Sequence, residues 1–319
     1  MNKPTLADIR KIIHQALPDN IVLSFQQASL GNLNWVYFID LEKPPHKVVA
    51  KIVYRPSRDQ RQVMAKEVKI IKLLNQQKVA GVPQIIFYNN SKKIVPWTYL
   101  IESYIDGLPL IECSYFNEAI PEKVILAMVR FITQIQTIKE SKITEFEAGS
   151  PDYVSFSEYV QDRAPEYLKI CQSSDRIPSQ LVQDGYQLLT DQAKLINDQK
   201  FVLCHCDVSS HNVLIKDNQL AGIIDYEAAQ TFLPEFDLVT SYHEFLNKYP
   251  AAWQLLLKEY RNKSLVPKNF AERMNIVMVY RSLRYLSRVV KYNLWNYLEG
   301  DIARMQEVVD GSFIKTIKY

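Results

Sequence analysis

The chain has 319 residues, 47% hydrophobic and 23% charged, with a formal net charge of +3 at pH 7, which gives room for two packed domains and no global pull toward nucleic acid. The N-terminus, MNKPTLADIRKIIHQAL, lacks the apolar run of a secretory leader, and no stretch approaches the roughly 20 apolar residues that span a bilayer. Four cysteines, Cys113, Cys171, Cys204 and Cys206, are too few for a disulfide framework, so a reducing, cytoplasmic setting is expected.

Residues 1–104 read as strands with one intervening helix. The segments at 21–25, 35–40, 47–54, 84–88 and 97–103 are short and rich in β-branched or aromatic residues. Gly31-Asn32, Lys43-Pro44-Pro45 and Asn89-Asn90-Ser91 mark turns between them. Residues 60–78 form a helical stretch ended by Gly81 and Pro83. From Leu110 the pattern turns mostly helical: Pro121 to about Lys139, then about 155–170, 178–197, 236–247, 251–262 and 268–291. One strand pair, 213–216 and 220–225, interrupts the helices. The change of pattern near Tyr104 divides the chain into 1–104 and 105–319.

The densest polar cluster is His205-Cys206-Asp207-Val208-Ser209-Ser210-His211-Asn212, followed by the strand pair. A tight hairpin with Asn218-Gln219 at its tip would set Asn212 opposite Asp225, with Cβ atoms about 5 Å apart. Oxygen ligands so placed suit Mg²⁺, which takes one or two carboxylates plus substrate phosphates. Asp207 precedes them, and a separate Asp can accept the proton of an attacking hydroxyl. Polar ends on an ordinary hairpin are the bland alternative. Lys51 lies in the apolar strand Val48-Val49-Ala50-Lys51-Ile52-Val53. Glu67 falls on the helical stripe of Val63, Ile70, Ile71 and Leu74. A carboxylate on a buried face needs a partner, and Lys51 is the natural one. Eight glycines include no GxxxxGKS/T or GxGxxG loop.

These residues resemble the aminoglycoside phosphotransferase and choline kinase family, distant relatives of protein kinases, from about Ser29 to Leu238. His205-x-Asp207-x4-Asn212 resembles the catalytic loop, and Ile224-Asp225-Tyr226-Glu227 the metal-binding segment. The resemblance implies an α+β, protein-kinase-like two-lobed fold: a small antiparallel-sheet lobe with one helix, and a mostly α second lobe. It implies transfer of the terminal phosphate of ATP or GTP, with Mg²⁺, to a hydroxyl of a small molecule. Asp207 would be catalytic, and Asn212 and Asp225 would hold metal. Lys51, with Glu67 as its helix partner, would bind the nucleotide phosphates. Ser29, Gly31 and Asn34 would cover those phosphates, and the backbone at Glu102 and Tyr104 would meet the base. Asp237 would brace the catalytic loop. His-Cys-Asp and Asp-Tyr-Glu stand where protein kinases carry HRD and DFG, and no APE segment occurs, which favours a small acceptor over a protein. Cys206 stands where the family usually has Gly. A silent nucleotide-binding module and a protein kinase are the alternatives; neither nucleic acid nor membrane is an expected partner. Two stripes leave the acceptor's charge open. One is acidic, Glu158, Asp162 and Glu166. The other is basic, Arg281, Arg284 and Arg288.

Overall fold

In the computed structural model, residues 3–28, 34–53, 58–196, 200–264 and 266–317 are described. They gather into two units. The first is Met1–Cys113 with Phe146–Gly149 and His211–Ala228; the second is Ser114–Glu145, Ser150–Ser210 and Ala229–Tyr319. Where the change of pattern suggests a single cut at residue 104, the first unit is discontinuous: it runs on to Cys113 and takes in the polar hairpin.

Alternation builds the first unit. In β2 (Asn34–Leu41) every second residue, Trp35, Tyr37, Ile39 and Leu41, is buried. With β1 (Val22–Gln27), β3 (Lys47–Val53), β4 (Ile85–Asn89) and β5 (Tyr99–Ser103) it forms an antiparallel sheet of order β1-β2-β3-β5-β4. One face joins Ile9, Ile12 and Ile13 of α1 (Leu6–Ala16) in a core with Trp35, Val48, Ile52, Trp97 and Ile101. Each large side chain buried there contributes about 1.5–3 kcal/mol. The reading of strands with one helix passes over α1. Its start is a capping box: Asp8 N–H donates to Thr5 Oγ1 at 3.3 Å, and Thr5 N–H donates to the Asp8 carboxylate at 3.0 Å. On the opposite face, Val53 and Leu100 pack with Met64 and Val68 of α2 (Arg58–Gln76).

The hairpin strands β9 (Val213–Lys216) and β10 (Gln219–Ile223) pair with each other, and the short β6 (Leu108–Pro109) adds to β9. Two glycines let this hairpin approach the loop after α2. Ile223 N–H donates to Gly81 O at 3.0 Å, and a Cβ on Gly222 would stand 2.5 Å from that oxygen.

Helical periodicity builds the second unit. In α3 (Glu122–Ile135), Val124, Ile125, Met128, Val129, Ile132 and Ile135 are buried at spacings of three and four. The long α8 (Phe270–Tyr292) packs against α4 (Phe156–Gln172), α5 (Ser179–Gln192), α6 (Glu235–Glu244) and α9 (Leu298–Val309), the last of which the pattern reading does not contain. Tyr159 of α4 and Tyr280 of α8 join hydroxyls at 2.8 Å among Phe156, Phe232 and Phe236. Strands β7 (Lys139–Glu140), β8 (Phe201–Cys204) and β11 (Gln230–Phe232) form a small sheet, and α7 (Pro250–Lys263) and α10 (Ser312–Lys315) complete the unit. Among the described residues no helix is long and apolar enough to cross a membrane.

Candidate active site

Strand β3 puts Lys51 on the α2-facing side of the sheet. It pairs with Leu100, while Val49, two residues back, pairs with Glu102. Residues two apart share a face, so Glu102 joins Lys51 there. Helix α2 supplies Glu67 from a turn where Met64, Val68, Ile70, Ile71 and Leu74 are buried and Val63 is half-buried. Lys51 Nζ lies 2.5 Å from Glu67 Oε1, 3.5 Å from Asp225 Oδ1 and 3.7 Å from Glu102 Oε1. Lys51, Glu67 and Glu102 are buried at 6%, 1% and 3% exposure, so this cluster is nearly dry.

Burial alone would lower the affinity of Lys51 for its proton. The carboxylates of Glu102, Glu67 and Asp225 outweigh it and hold the ammonium well above its usual range. Burial raises the Glu67 carboxyl despite Lys51, and it pushes Glu102 up to about 7. Glu102 Oε2 is buried with no hydrogen-bond partner among the described residues. The Glu102 carboxylate is the cluster member that the sequence reading missed. That reading gave Glu102 a backbone role, and strand alternation combined with the β3–β5 register is the signal that finds the side chain.

The hairpin register differs from the expected one. Its turn is Asp217-Asn218, both left-handed at φ 50° and 55°, so Lys216 pairs with Gln219. Such a turn takes positive φ at both central residues, which Asp and Asn tolerate. The register shifts again between Leu220 and Gly222. Asn212 therefore faces Ile224, whose N–H donates to Asn212 O at 3.0 Å, and Asp225 is the next residue, left-handed at φ 71°. Asn212 is buried, and the Asp225 side chain is 36% exposed.

The donors at this end of the hairpin are a carboxylate and an amide, both hard oxygen ligands. Among the described residues no cluster of three or more His, Cys, Asp or Glu side chains forms a metal cage. That donor set fits a Mg²⁺ ion completed by substrate phosphates better than a metal held by protein alone.

In the second unit the loop after β8 carries Asp207. Asp237, at the start of α6 and fully buried, accepts from His205 N–H at 3.1 Å and Cys206 N–H at 2.8 Å. Burial pushes its carboxyl up to about 7 against those two bonds. Asp207 N–H donates to His205 Nδ1 at 3.2 Å, and Ser209 N–H to Asp207 O at 2.9 Å. His205 is thus a brace of the loop, and Asp207 stays half-buried. Cys206 is left-handed at φ 64°, a conformation that favours glycine.

Of the remaining expected site residues, Ser29 and Gly31 lie outside the described residues. Asn34 opens β2 opposite Val53. The Tyr104 ring packs edge-on against Phe38 at 5.9 Å, with Lys47 Nζ 4.5 Å from its centroid.

The family described as Phosphotransferase enzyme family matches residues 24–265. The chain is also similar to three solved structures. Aminoglycoside phosphotransferase APH(4)-Ia is 15% identical over 96% of this chain and 99% of that one, with a TM-score of 0.72. Macrolide 2'-phosphotransferase MphH from Brachybacterium faecium is 15% identical over 94% and 98%, with a TM-score of 0.69. A GDP complex of aminoglycoside 2'-phosphotransferase IIIa is 14% identical over 98% and 100%, with a TM-score of 0.69. At these identities the likeness is one of fold, and it is the protein-kinase-like fold expected from the sequence.

Proposed function

This chain belongs to the phosphotransferase enzyme family, and on that premise we propose that it moves the terminal phosphate of ATP or GTP to a hydroxyl of a small molecule. The observation that carries this reading is the buried Lys51 held by Glu67, Glu102 and Asp225. A buried cation with three acidic neighbours is costly as a structural device alone. It is well suited to a group that must grip phosphate oxygens in one fixed place. Asn212 and Asp225 would hold Mg²⁺, which when bound supplies neutralisation of charge on the transferring phosphate. Asp207 orients or deprotonates the acceptor hydroxyl, and Asp237 fixes the loop that carries it through two backbone N–H groups. Asn34 and the backbone at Glu102 and Tyr104 contact the nucleotide, as do Ser29 and Gly31. Most of the acceleration comes from positioning and electrostatics rather than covalent chemistry. The reading places the enzyme in the cytoplasm with its nucleotide.

The test is a screen of hydroxylated small molecules for Mg²⁺-dependent nucleoside diphosphate release. An acceptor that stimulates release, with phosphate recovered on its hydroxyl, supports the reading. Nucleotide binding without turnover on any acceptor would favour a silent nucleotide-binding module instead.

A further inference from the structure

The arginine stripe of α8 is the sequence feature the proposed reaction leaves unused. At about 100° per residue, Arg281, Arg284, Tyr285 and Arg288 fall on one helical face. Arg281 is fully buried and ion-paired with Glu244 of α6, and its guanidinium lies 3.8 Å from the Tyr285 ring centroid. Its Nε and Nη1 have no hydrogen-bond partner among the described residues. Arg288 approaches the same ring at 5.3 Å. Arg284 stands among the phenols of Tyr280, Tyr167, Tyr159 and Tyr285. Arg284 and Arg288 are half-buried, and among the described residues neither has a carboxylate within the 4.0 Å of a salt bridge.

Among the described residues the acids nearby do not pair with Arg284 or Arg288. Besides Glu244 there is Asp301 of α9, 2.8 Å from His243 Nε2. Burial and Arg281 hold that imidazole well below its usual range, so it is neutral. Glu244 is taken by Arg281 and Asp301 by His243, so Arg284 and Arg288 keep no ion-pair partner among the described residues. This face also lies close to the catalytic loop. The phenol of Tyr285 is raised by burial and further by the charge of Asp207, partly offset by Arg281.

The acidic stripe, by contrast, is partly spent on the fold. Asp162 accepts the Tyr153 hydroxyl at 2.5 Å, and Glu158 accepts Val154 N–H at 2.8 Å at the start of α4. Nearby Glu145 binds Arg163 Nη2 at 2.9 Å and the Tyr159 hydroxyl at 3.1 Å.

We propose that this face of α8 binds a compact oxyanion carried by the acceptor, a phosphate above all, with Arg284 and Arg288 as its direct ligands. A guanidinium presents a planar fork of donors that matches oxyanion geometry, and a half-buried one without an acid gains most from such a partner. The acceptor class is then anionic hydroxyl compounds and not polycationic amino sugars. This rests on the small-molecule kinase reading and names the substrate of that same site.

Matched acceptors test it on the full chain with a non-hydrolysable ATP analogue and Mg²⁺. Glycerol 3-phosphate is titrated against glycerol, glucose 6-phosphate against glucose, and kanamycin serves as the cation. The phosphorylated member of each pair should bind at least tenfold tighter, inorganic phosphate should compete, and kanamycin should not bind. Arg284→Gln with Arg288→Gln should abolish the preference without changing nucleotide affinity, and Arg288→Lys should keep part of it. Equal binding of charged and uncharged members, no binding of either, or a preference that survives in a folded double variant would overturn the proposal. Should the double variant fail to fold, the wild-type pairs and phosphate competition decide alone. A phosphate preference without diphosphate release on any acceptor refutes the kinase reading and leaves the anion site standing. Turnover of uncharged or cationic acceptors that ignores both arginines does the reverse.

Discussion

Lys51→Met removes the ammonium that Glu67, Glu102 and Asp225 share while keeping a side chain of similar length. Breaking a buried ion pair from one side costs about 3–5 kcal/mol, because the partner charge is left behind. Here the partners have an escape. Glu67 and Glu102 can take up protons, and the cost of doing so is about 1.4 kcal/mol per pH unit above the usual carboxyl value of 4.5. For each carboxyl that is at most about 4 kcal/mol at pH 7.5 and about 1.4 kcal/mol at pH 5.5. The direction follows from linkage. A carboxyl raised on folding binds more protons in the folded state, so its contribution is full below 4.5 and lost as pH rises through about 7, the value Glu102 already reaches. Without Lys51 the upper end of that window moves higher. The variant should therefore lose about 3–5 kcal/mol at pH 7.5 and roughly half that or less at pH 5.5. Urea unfolding at the two pH values measures both, and adding Glu67→Gln should restore at least about 1 kcal/mol at pH 7.5. A deficit below about 1 kcal/mol at pH 7.5, or one equal at both pH values, would refute the account of this cluster.

Three further outcomes follow from the geometry. Asp237→Ala leaves the buried N–H groups of His205 and Cys206 without their acceptor and should cost about 2–5 kcal/mol in denaturant unfolding; a loss below 1 kcal/mol would mean the loop does not depend on it. At left-handed Cys206, Gly relieves about 1–2 kcal/mol of strain, which offsets the lost thiol packing, so Cys206→Gly should melt near the wild type. Cys206→Val should fall by about 2 kcal/mol or more, and a Val variant as stable as Gly would contradict the strain. Gly222→Ala forces a Cβ within 2.5 Å of Gly81 O and 2.8 Å of Ile105 Cδ1, so it should destabilise by about 3 kcal/mol or more and loosen hydrogen exchange at Ile223 N–H.

What the sequence makes legible is what repeats with a period. Lys51 and Glu67 are readable as a pair because each interrupts an apolar pattern, a continuous run in the strand and a stripe of period about 3.6 in the helix. Register is not periodic information. The hairpin slips by one residue because the turn closes on Asp217-Asn218 and the pairing shifts again after Leu220, and nothing in an alternating pattern announces either. The Glu102 carboxylate escapes notice for a related reason: it reaches Lys51 only through the pairing of Val49 with Glu102, a long-range fact. Helix α1 was accessible through Thr5 and Asp8, whose spacing is a capping signal, but its apolar stripe of Ile9, Ile12 and Ile13 is short. The two charged stripes look equivalent as sequence. They separate only when Asp162 and Glu158 are seen bonded within the fold, while among the described residues neither Arg284 nor Arg288 is ion-paired with a carboxylate.

The central claim is that this chain performs Mg²⁺-dependent phosphoryl transfer through Asp207 and Asp225. Its most direct test follows terminally labelled ATP and GTP with an accepted hydroxyl compound, comparing wild type with Asp225→Ala and Asp207→Asn. The account predicts transfer that requires Mg²⁺, no transfer by Asp225→Ala in a folded chain, and turnover reduced roughly 10²–10⁴-fold in Asp207→Asn with nucleotide affinity retained. Wild-type turnover by Asp207→Asn, or transfer indifferent to Mg²⁺, would contradict it.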